Sequence, residues 1–265
     1  MKNKLLKILD TFKLCAQEAG KILKEEYERE FTEYKMKSRA DYVSEVDFRV
    51  EKKIKEILKE NFEEVPFIGE ETGGKFFKEG FVCDPLDGTR NFIQRIPFFA
   101  FSIAYVKENE PYVGVIYIPL LNELFYAIKG GGAYLNGKRI KVSSKKKEDG
   151  FLIGTGFPFR KRKYWEIYYK KLKEIFEEVD DLRRPGSASC DLAYVACGRY
   201  DGFFEFGLSP WDILAGVLLV EEAGGKTGDM ESKRNHLKTG NIIAGNPYAY
   251  DFLLSIFKKR RDLTR

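Results

Sequence analysis

Residues 81 to 94, FVCDPLDGTRNFIQ, constrain this chain more than any other stretch. An apolar run that ends in Asp84, Pro85, Leu86, Asp87, Gly88 and Thr89 predicts a strand running into a turn that opens a helix. Pro85 holds Asp84 extended, Gly88 lets backbone approach a ligand closely, and N–H groups at the following helix start can receive an anion. Two carboxylates there repel a phosphate unless a cation intervenes, so the segment points to bound cations and a phosphoryl substrate together. The plainer alternative is that Asp, Pro and Gly are simply good turn formers. Other phosphatase signatures fit worse. Aspartyl-phosphate enzymes want their carboxylates two residues apart, and Asp84 and Asp87 are three apart. A cysteine nucleophile of the tyrosine-phosphatase type needs an Arg six positions later; Thr89 stands six after Cys83, and Arg90 comes one too late.

Composition removes several further classes. With one histidine, His236, zinc sites built on His, His-based phosphotransfer and Ser-His-Asp triads are all but excluded, which leaves oxygen ligands and favours Mg²⁺ or Mn²⁺. The 46 basic and 41 acidic residues leave a net charge of +5. They are interspersed, as on a solvated surface, and carry no strong nucleic-acid signature. Cys15, Cys83, Cys190 and Cys197 form no CxxC pair, no run approaches the roughly eighteen apolar residues of a membrane span, and the N-terminus is charged where a signal peptide would be apolar. The expectation is a cytoplasmic protein with free thiols and no membrane partner. At 265 residues and 43% hydrophobic, the chain can bury a large core.

Apolar residues recur at helical spacing from Leu5 to Leu23 and again from Val46 to Leu58, so two amphipathic helices open the chain. Short strands are expected at residues 65 to 68 and 81 to 84. An antiparallel meander follows through 99 to 107, 111 to 118, 123 to 129 and about 132 to 142, with Asn136 and Gly137 marking its last hairpin. The run Gly130, Gly131, Gly132 lies inside the meander and reads as a bulge or loop, not a phosphate cradle. Beyond the charged stretch Lys145 to Gly150, strands near 151, 182, 202 and 241 alternate with helices near 162 to 178, 188 to 198, 211 to 223 and 247 to 260. An α+β half (residues 1–145) and an α/β half (146–265) in one layered sandwich are expected, forming one compact catalytic unit.

Three further segments can supply carboxylates. Glu70 and Glu71 follow an apolar run and Gly69, and are either ligands or a solvated loop pair. Asp212 follows Trp211 at a helix start, where it could equally be a first-turn acid facing the helix dipole. Asp47 lies three residues after Ser44, a capping-box spacing.

Together, IGEE at 68 to 71, DPLDGT at 84 to 89 and PWD at 210 to 212 closely resemble the inositol monophosphatase family, of the lithium-sensitive, Mg²⁺-dependent phosphatase superfamily that includes fructose-1,6-bisphosphatases. DYVSEVD at 41 to 47 resembles the family's segment before its first carboxylates, and residues 183 to 212 resemble bacterial members. The resemblance spans nearly the whole chain and implies an αβαβα sandwich. It implies that Glu70, Asp84 and the Leu86 carbonyl hold one Mg²⁺, that Asp84, Asp87 and Asp212 hold a second, and that a third ion sits near Glu70. Thr89 with Asp47 would orient and deprotonate a metal-activated water, and the Gly88 and Thr89 N–H groups would hold phosphate. Gly186, Ser187, Ala188, Glu205 and Asp212 would meet sugar hydroxyls, Ser187 serving equally as an N-cap. Cys83, Gln94 and Leu214 depart from the family pattern without removing a ligand.

The implied activity is hydrolysis of a sugar or cyclitol phosphomonoester, first myo-inositol monophosphate, with fructose-1,6-bisphosphate or a 3′-phosphonucleotide as alternatives. Lithium inhibition and a homodimer are implied by the same resemblance. A different class of function, binding to RNA or the transcription machinery, rests on the runs Lys145 to Lys147 and Lys258 to Arg261. These lack interleaved aromatics and read better as a solvated loop and a helix end.

Overall fold

The computed structural model describes residues 2–29, 34–38, 41–74 and 78–258. Helix α1 (Lys2–Tyr27) buries Leu5, Ile8, Phe12, Cys15, Ala19 and Leu23 along one stripe, and α2 (Glu45–Asn61) buries Val46, Val50, Ile54 and Ile57. This is the periodicity the sequence shows. Before α2 a small antiparallel hairpin pairs β1 (Tyr34–Ser38) with β2 (Asp41–Ser44).

A seven-stranded sheet follows in the order of its strands: β3 (Phe67–Gly69), β4 (Glu79–Asp87), β5 (Ala100–Lys107), β6 (Glu110–Ile118), β7 (Glu123–Ile128), β8 (Gly132–Leu135) and β9 (Lys138–Arg139). Only β3 and β4 run parallel; the rest form the expected meander. Asn136 and Gly137 both take positive φ at its last hairpin. Gly130 and Gly131 turn between β7 and β8, and the N–H groups of Gly130 and Gly132 donate to the Glu222 carboxylate at 2.6 and 2.8 Å.

Side chains alternate across this sheet. Phe81, Cys83, Phe101, Ile103, Tyr105, Val113 and Val115 face α1 and α2, while Val82, Ala104, Val106 and Ile116 face the opposite way. That second face packs on α5 (Ala188–Ala196) and α6 (Pro210–Glu222), helices apolar on almost every side because a second sheet covers them from behind. This sheet has the order β11 (Asp181–Arg183), β10 (Leu152–Thr155), β12 (Gly202–Glu205), β14 (Ile242–Gly245), β13 (Lys226–Gly228). Its outer face carries Ile153, Phe204 and Ile243 against α4 (Trp165–Phe176) and α8 (Pro247–Lys258). These layers make an αβαβα sandwich, with the short helices α3 (Thr89–Ile93) and α7 (His236–Thr239) in its connections. Each fully buried Phe or Ile contributes on the order of 1.5–3 kcal/mol through area removed from water.

Of the departures from family pattern, Cys83 lies among the residues facing α1 and α2 and Leu214 in the middle layer, while Gln94 is exposed at the end of α3. Lys147 pairs with Glu178, and Lys146 and Lys147 lie over the rings of Tyr248 and Phe252. The run Lys258 to Arg261 falls outside the described residues beyond Lys258. All four cysteines are free, and no helix among the described residues is long and apolar enough to cross a membrane.

Candidate active site

The parallel register of β3 on β4 sets Gly69 beside Cys83, so Glu70 leaves the end of β3 next to Asp84, where the pairing of β4 with β5 shifts register before Asp87. The Glu70 N–H continues the ladder to the Cys83 carbonyl at 3.1 Å. Such an end is where open sheets carrying parallel strands hold ligands. From the middle layer, Ser209 caps α6 and its N–H donates to Asp212 at 2.7 Å, which fixes the third carboxyl at the helix start. Glu70, Asp84 and Asp212 each present an oxygen within 4.8 Å of the others.

Asp84 is 1% exposed. One of its oxygens accepts the Leu86 N–H at 2.9 Å, and the other, Oδ2, is buried with no hydrogen-bond partner. An orphaned carboxylate oxygen costs free energy unless a cation meets it. The oxygen-only donor set of buried carboxylates suits a hard divalent ion. The residues therefore fit the metal that the resemblance implies.

Asp87 and Leu86 line the same cleft, with Gly88, Thr89, Gly186, Ser187, Ala188 and Glu205. Asp87 stands apart from the three-carboxylate cluster, its Oδ2 accepting the Ser187 hydroxyl at 2.8 Å and the Ser189 N–H at 2.6 Å. Ser187 thus caps α5, accepting from the Cys190 N–H, and holds Asp87 as well. Asp47 does not line the cleft. It is buried behind it, fixed by the Ser44 N–H at 2.8 Å and the Ser44 hydroxyl, and its Oδ1 lies 3.3 Å from the Thr89 hydroxyl. That hydroxyl is also 3.0 Å from the Leu86 carbonyl. The capping-box and site readings of Asp47 hold together, as do the first-turn and site readings of Asp212.

Three residues at the site are not singled out by the sequence alone. Glu51 on α2, 1% exposed, accepts the Glu71 N–H at 2.9 Å and pairs with Lys55. A Cβ on Gly69 would overlap its carboxylate, so the bare glycine lets Glu51 lie against the end of β3. Asp191 on α5 lines the cleft, and its buried Oδ1 has no hydrogen-bond partner. Arg184 lines the cleft as well, its charge acting on Asp191 and Glu205. A lone acid in an otherwise apolar helix, DLAYVA, is the signal that could have exposed Asp191.

Burial pushes the Asp47 carboxyl up to about 7. Burial, with the charges of Asp87 and Glu70, does the same for Asp212, also to about 7. Asp84 is driven well above the carboxylate range by burial and then by Glu70, Asp87 and Asp212, and Glu205 rises to about 8 by burial and the charge of Asp212. Folded, metal-free protein therefore keeps protons that the unfolded chain releases near about pH 4. The stability these groups contribute is full below that pH and is lost as pH rises through about 7. In EDTA, the melting temperature is expected to fall between about pH 5.5 and about pH 7.5. Mg²⁺ at the higher pH should restore ~5 °C or more. A metal-independent melting temperature at both pH values would contradict a cation site.

The model of the inositol monophosphatase family matches residues 5–262. The chain is 44% identical over 245 residues to Nus factor SuhB of Escherichia coli, covering 91% of this chain and 92% of that protein. It is 40% identical over 258 residues to a fructose-1,6-bisphosphatase/inositol-1-monophosphatase of Aquifex aeolicus, covering 96% and 97%. Among solved structures, extragenic suppressor protein suhB of Bartonella henselae superposes with a TM-score of 0.90 at 39% identity, over 96% of this chain and 99% of that one. An IMPase of Thermotoga maritima gives 0.85 at 31% identity, over 94% and 96%. With paired strand ends, capped helix and carboxylate cluster in register with its motifs, the chain belongs to the inositol monophosphatase family.

Proposed function

We propose that the protein is a Mg²⁺-dependent hydrolase of sugar or cyclitol phosphomonoesters, with myo-inositol monophosphate the first substrate and fructose-1,6-bisphosphate the alternative. The observation that carries this reading is the buried cluster of Glu70, Asp84 and Asp212, whose Asp84 Oδ2 has no protein donor. Those three would hold divalent ions, with Asp87 and the Leu86 carbonyl at the edge of the set. Mn²⁺ could replace Mg²⁺ there, since the donors are all oxygens. A bound divalent ion supplies charge neutralisation for the phosphoryl group and acidifies water.

The chain's own groups do the rest. The Thr89 hydroxyl, donating to Asp47 Oδ1, leaves its oxygen free to accept from an attacking water, and the proton passes along that line to Asp47. Ser44 holds Asp47 in place for this. The Gly88 and Thr89 N–H groups at the start of α3 hold phosphate oxygens. Glu205, beside Gly186 and Ala188, accepts a substrate hydroxyl.

The test is phosphate release from myo-inositol 1-phosphate, fructose-1,6-bisphosphate, a 3′,5′-nucleotide bisphosphate and histidinol phosphate, with Mg²⁺ and with EDTA. Turnover of a polyol ester that EDTA removes is expected. Absence of Mg²⁺-dependent release from all four would overturn the reading.

The similarity to proteins named Nus factor supports a second reading, a partner of the transcription machinery. Binding to a purified transcription elongation complex, measured alongside turnover, tests it. Retention of binding in a variant without turnover would make the two roles separable.

A further inference from the structure

Helix α2 packs on β4, the strand that carries Asp84, and two of its acids, Asp47 and Glu51, are each 1% exposed. They are one turn apart, so they share a face of the helix. Asp47 reaches the Thr89 hydroxyl, and Glu51 reaches the turn after β3 that carries Glu70. That turn closes on itself, the Gly73 N–H donating to the Gly69 carbonyl at 3.0 Å.

The peptides on either side of Glu70 are tied to different elements. Its own N–H donates to the Cys83 carbonyl of β4, and the following N–H, of Glu71, donates to Glu51 Oε2 at 2.9 Å. With both peptides held, the Glu70 backbone has little torsional freedom left, and its carboxylate stays within 4.8 Å of those of Asp84 and Asp212. Glu51 is itself locked. Its Oε1 meets the Lys55 ammonium at 3.0 Å, an ion pair without the alignment of a hydrogen bond. Lys55 also donates to the Thr72 hydroxyl at 2.5 Å and lies over the Phe67 ring, so one cation spans α2, β3 and the turn. Gly69 makes room for the carboxylate, since an added Cβ there would stand 2.2 Å from Oε2. A buried carboxylate is costly unless paired and hydrogen-bonded. Here its hydrogen bond comes from the backbone beside Glu70.

We propose that Glu51 is a positioning residue for the cation site. It does not line the cleft; it sets the turn so that Glu70 meets Asp84 and Asp212 before any cation arrives. The assignment rests on the cation site of the hydrolase reading. Asp47 and Glu51 then make α2 a common mount for the proton acceptor and for the turn that bears a ligand. Groups that orient a metal ligand from behind contribute about 10–100-fold to metal affinity or activity.

The test measures Mg²⁺ binding by calorimetry on the full chain, apart from turnover, in wild type, Glu51→Ala, Glu51→Gln and Gly69→Ala. Glu51→Ala should weaken Mg²⁺ binding by about tenfold or more and raise the Mg²⁺ concentration for half-maximal turnover by the same factor. At saturating Mg²⁺ its kcat should recover, with KM for the phosphate ester little changed. Glu51→Gln, whose amide oxygen still accepts the Glu71 N–H, should keep most of the affinity. Gly69→Ala displaces the carboxylate without altering Glu51, so it should match Glu51→Ala and stands in for it if that variant does not fold. Glu56→Gln removes an exposed acid from the same helix and should leave Mg²⁺ binding unchanged. Equal Mg²⁺ affinity in wild type and Glu51→Ala would overturn the positioning role. So would a loss in Glu51→Gln as large as in Glu51→Ala, because charge alone would then account for both. If wild type binds no Mg²⁺, the cation reading fails by itself, and amide hydrogen exchange at Glu71 decides whether Glu51 sets the turn. Protection in wild type that Glu51→Ala removes and Glu51→Gln keeps supports it, and an unprotected Glu71 amide in wild type overturns it.

Discussion

Asp84→Asn is expected to lower phosphomonoester turnover on the order of 10³-fold or more, beyond the usual cost of losing one preorganised electrostatic group. The amide has almost the volume of the carboxylate, so the packing around a residue that is 1% exposed survives. What changes is the charge. Asp84 Oδ2 has no protein donor, and its neighbours Glu70, Asp87 and Asp212 all raise its protonation, so an amide would remove the charge that a cation at the proposed site would meet. A second signature follows from the same repulsion. Without metal at about pH 7.5, the variant should melt no lower than wild type, because one of several crowded negative charges is gone, while Mg²⁺ should stabilise it less. Loss of activity together with loss of metal-free stability would indicate misfolding, and retained Mg²⁺-dependent turnover would sink the role assigned to Asp84.

Thr89→Val should lower kcat by about 10²–10³-fold with little change in KM, the range of a lost proton-transfer group. Valine keeps the shape and the helix start but removes the hydroxyl lying between the Leu86 carbonyl at 3.0 Å and Asp47 at 3.3 Å. With Asp47 raised to about 7 by burial, the wild-type rate should climb through an alkaline-going limb as that carboxyl ionises, and the limb should flatten in the variant. Bound cations next to Thr89 would move the limb to lower pH without inverting it. Thr89→Ser, which restores the hydroxyl, should recover most of the rate. An unchanged profile in Thr89→Val would leave the proton relay without support.

What could be read from the sequence was whatever a local pattern announces. The stripe from Leu5 to Leu23 needed only its own spacing to reveal α1, and DPLDGT carries in six residues the strand end, the turn and the helix start that bear Asp84, Asp87 and Thr89. Other features depend on pairing between distant segments. β13 is three residues long and α7 four, too short for a period to register. The β1–β2 hairpin lies in a charged stretch with no hairpin dipeptide. The helix expected from residue 162 begins at Trp165, after a 3₁₀ turn over Arg162–Tyr164. Glu51 reads as one more exposed helix acid until β3 brings Gly69 against it. Arg184 reads as surface charge until β11 lies parallel to β10 and sets it over Phe157 and Phe159.

The middle layer of helices separates two sheets that contribute different things to the cleft. Glu70, Asp84, Asp87 and Thr89 arrive from the first sheet, and the loops with Phe157, Arg160, Lys161 and Arg184 arrive from the second. Asp212 comes from between them on a helix whose far end is tethered by Glu222 to the β7–β8 turn of the first sheet. The carboxylates of the proposed site are thereby anchored from two layers, while the cationic loops stand on a separate sheet. Exchanging those loops for a relative's should therefore leave the Mg²⁺-dependent rise in melting temperature at the carboxylate cluster in place.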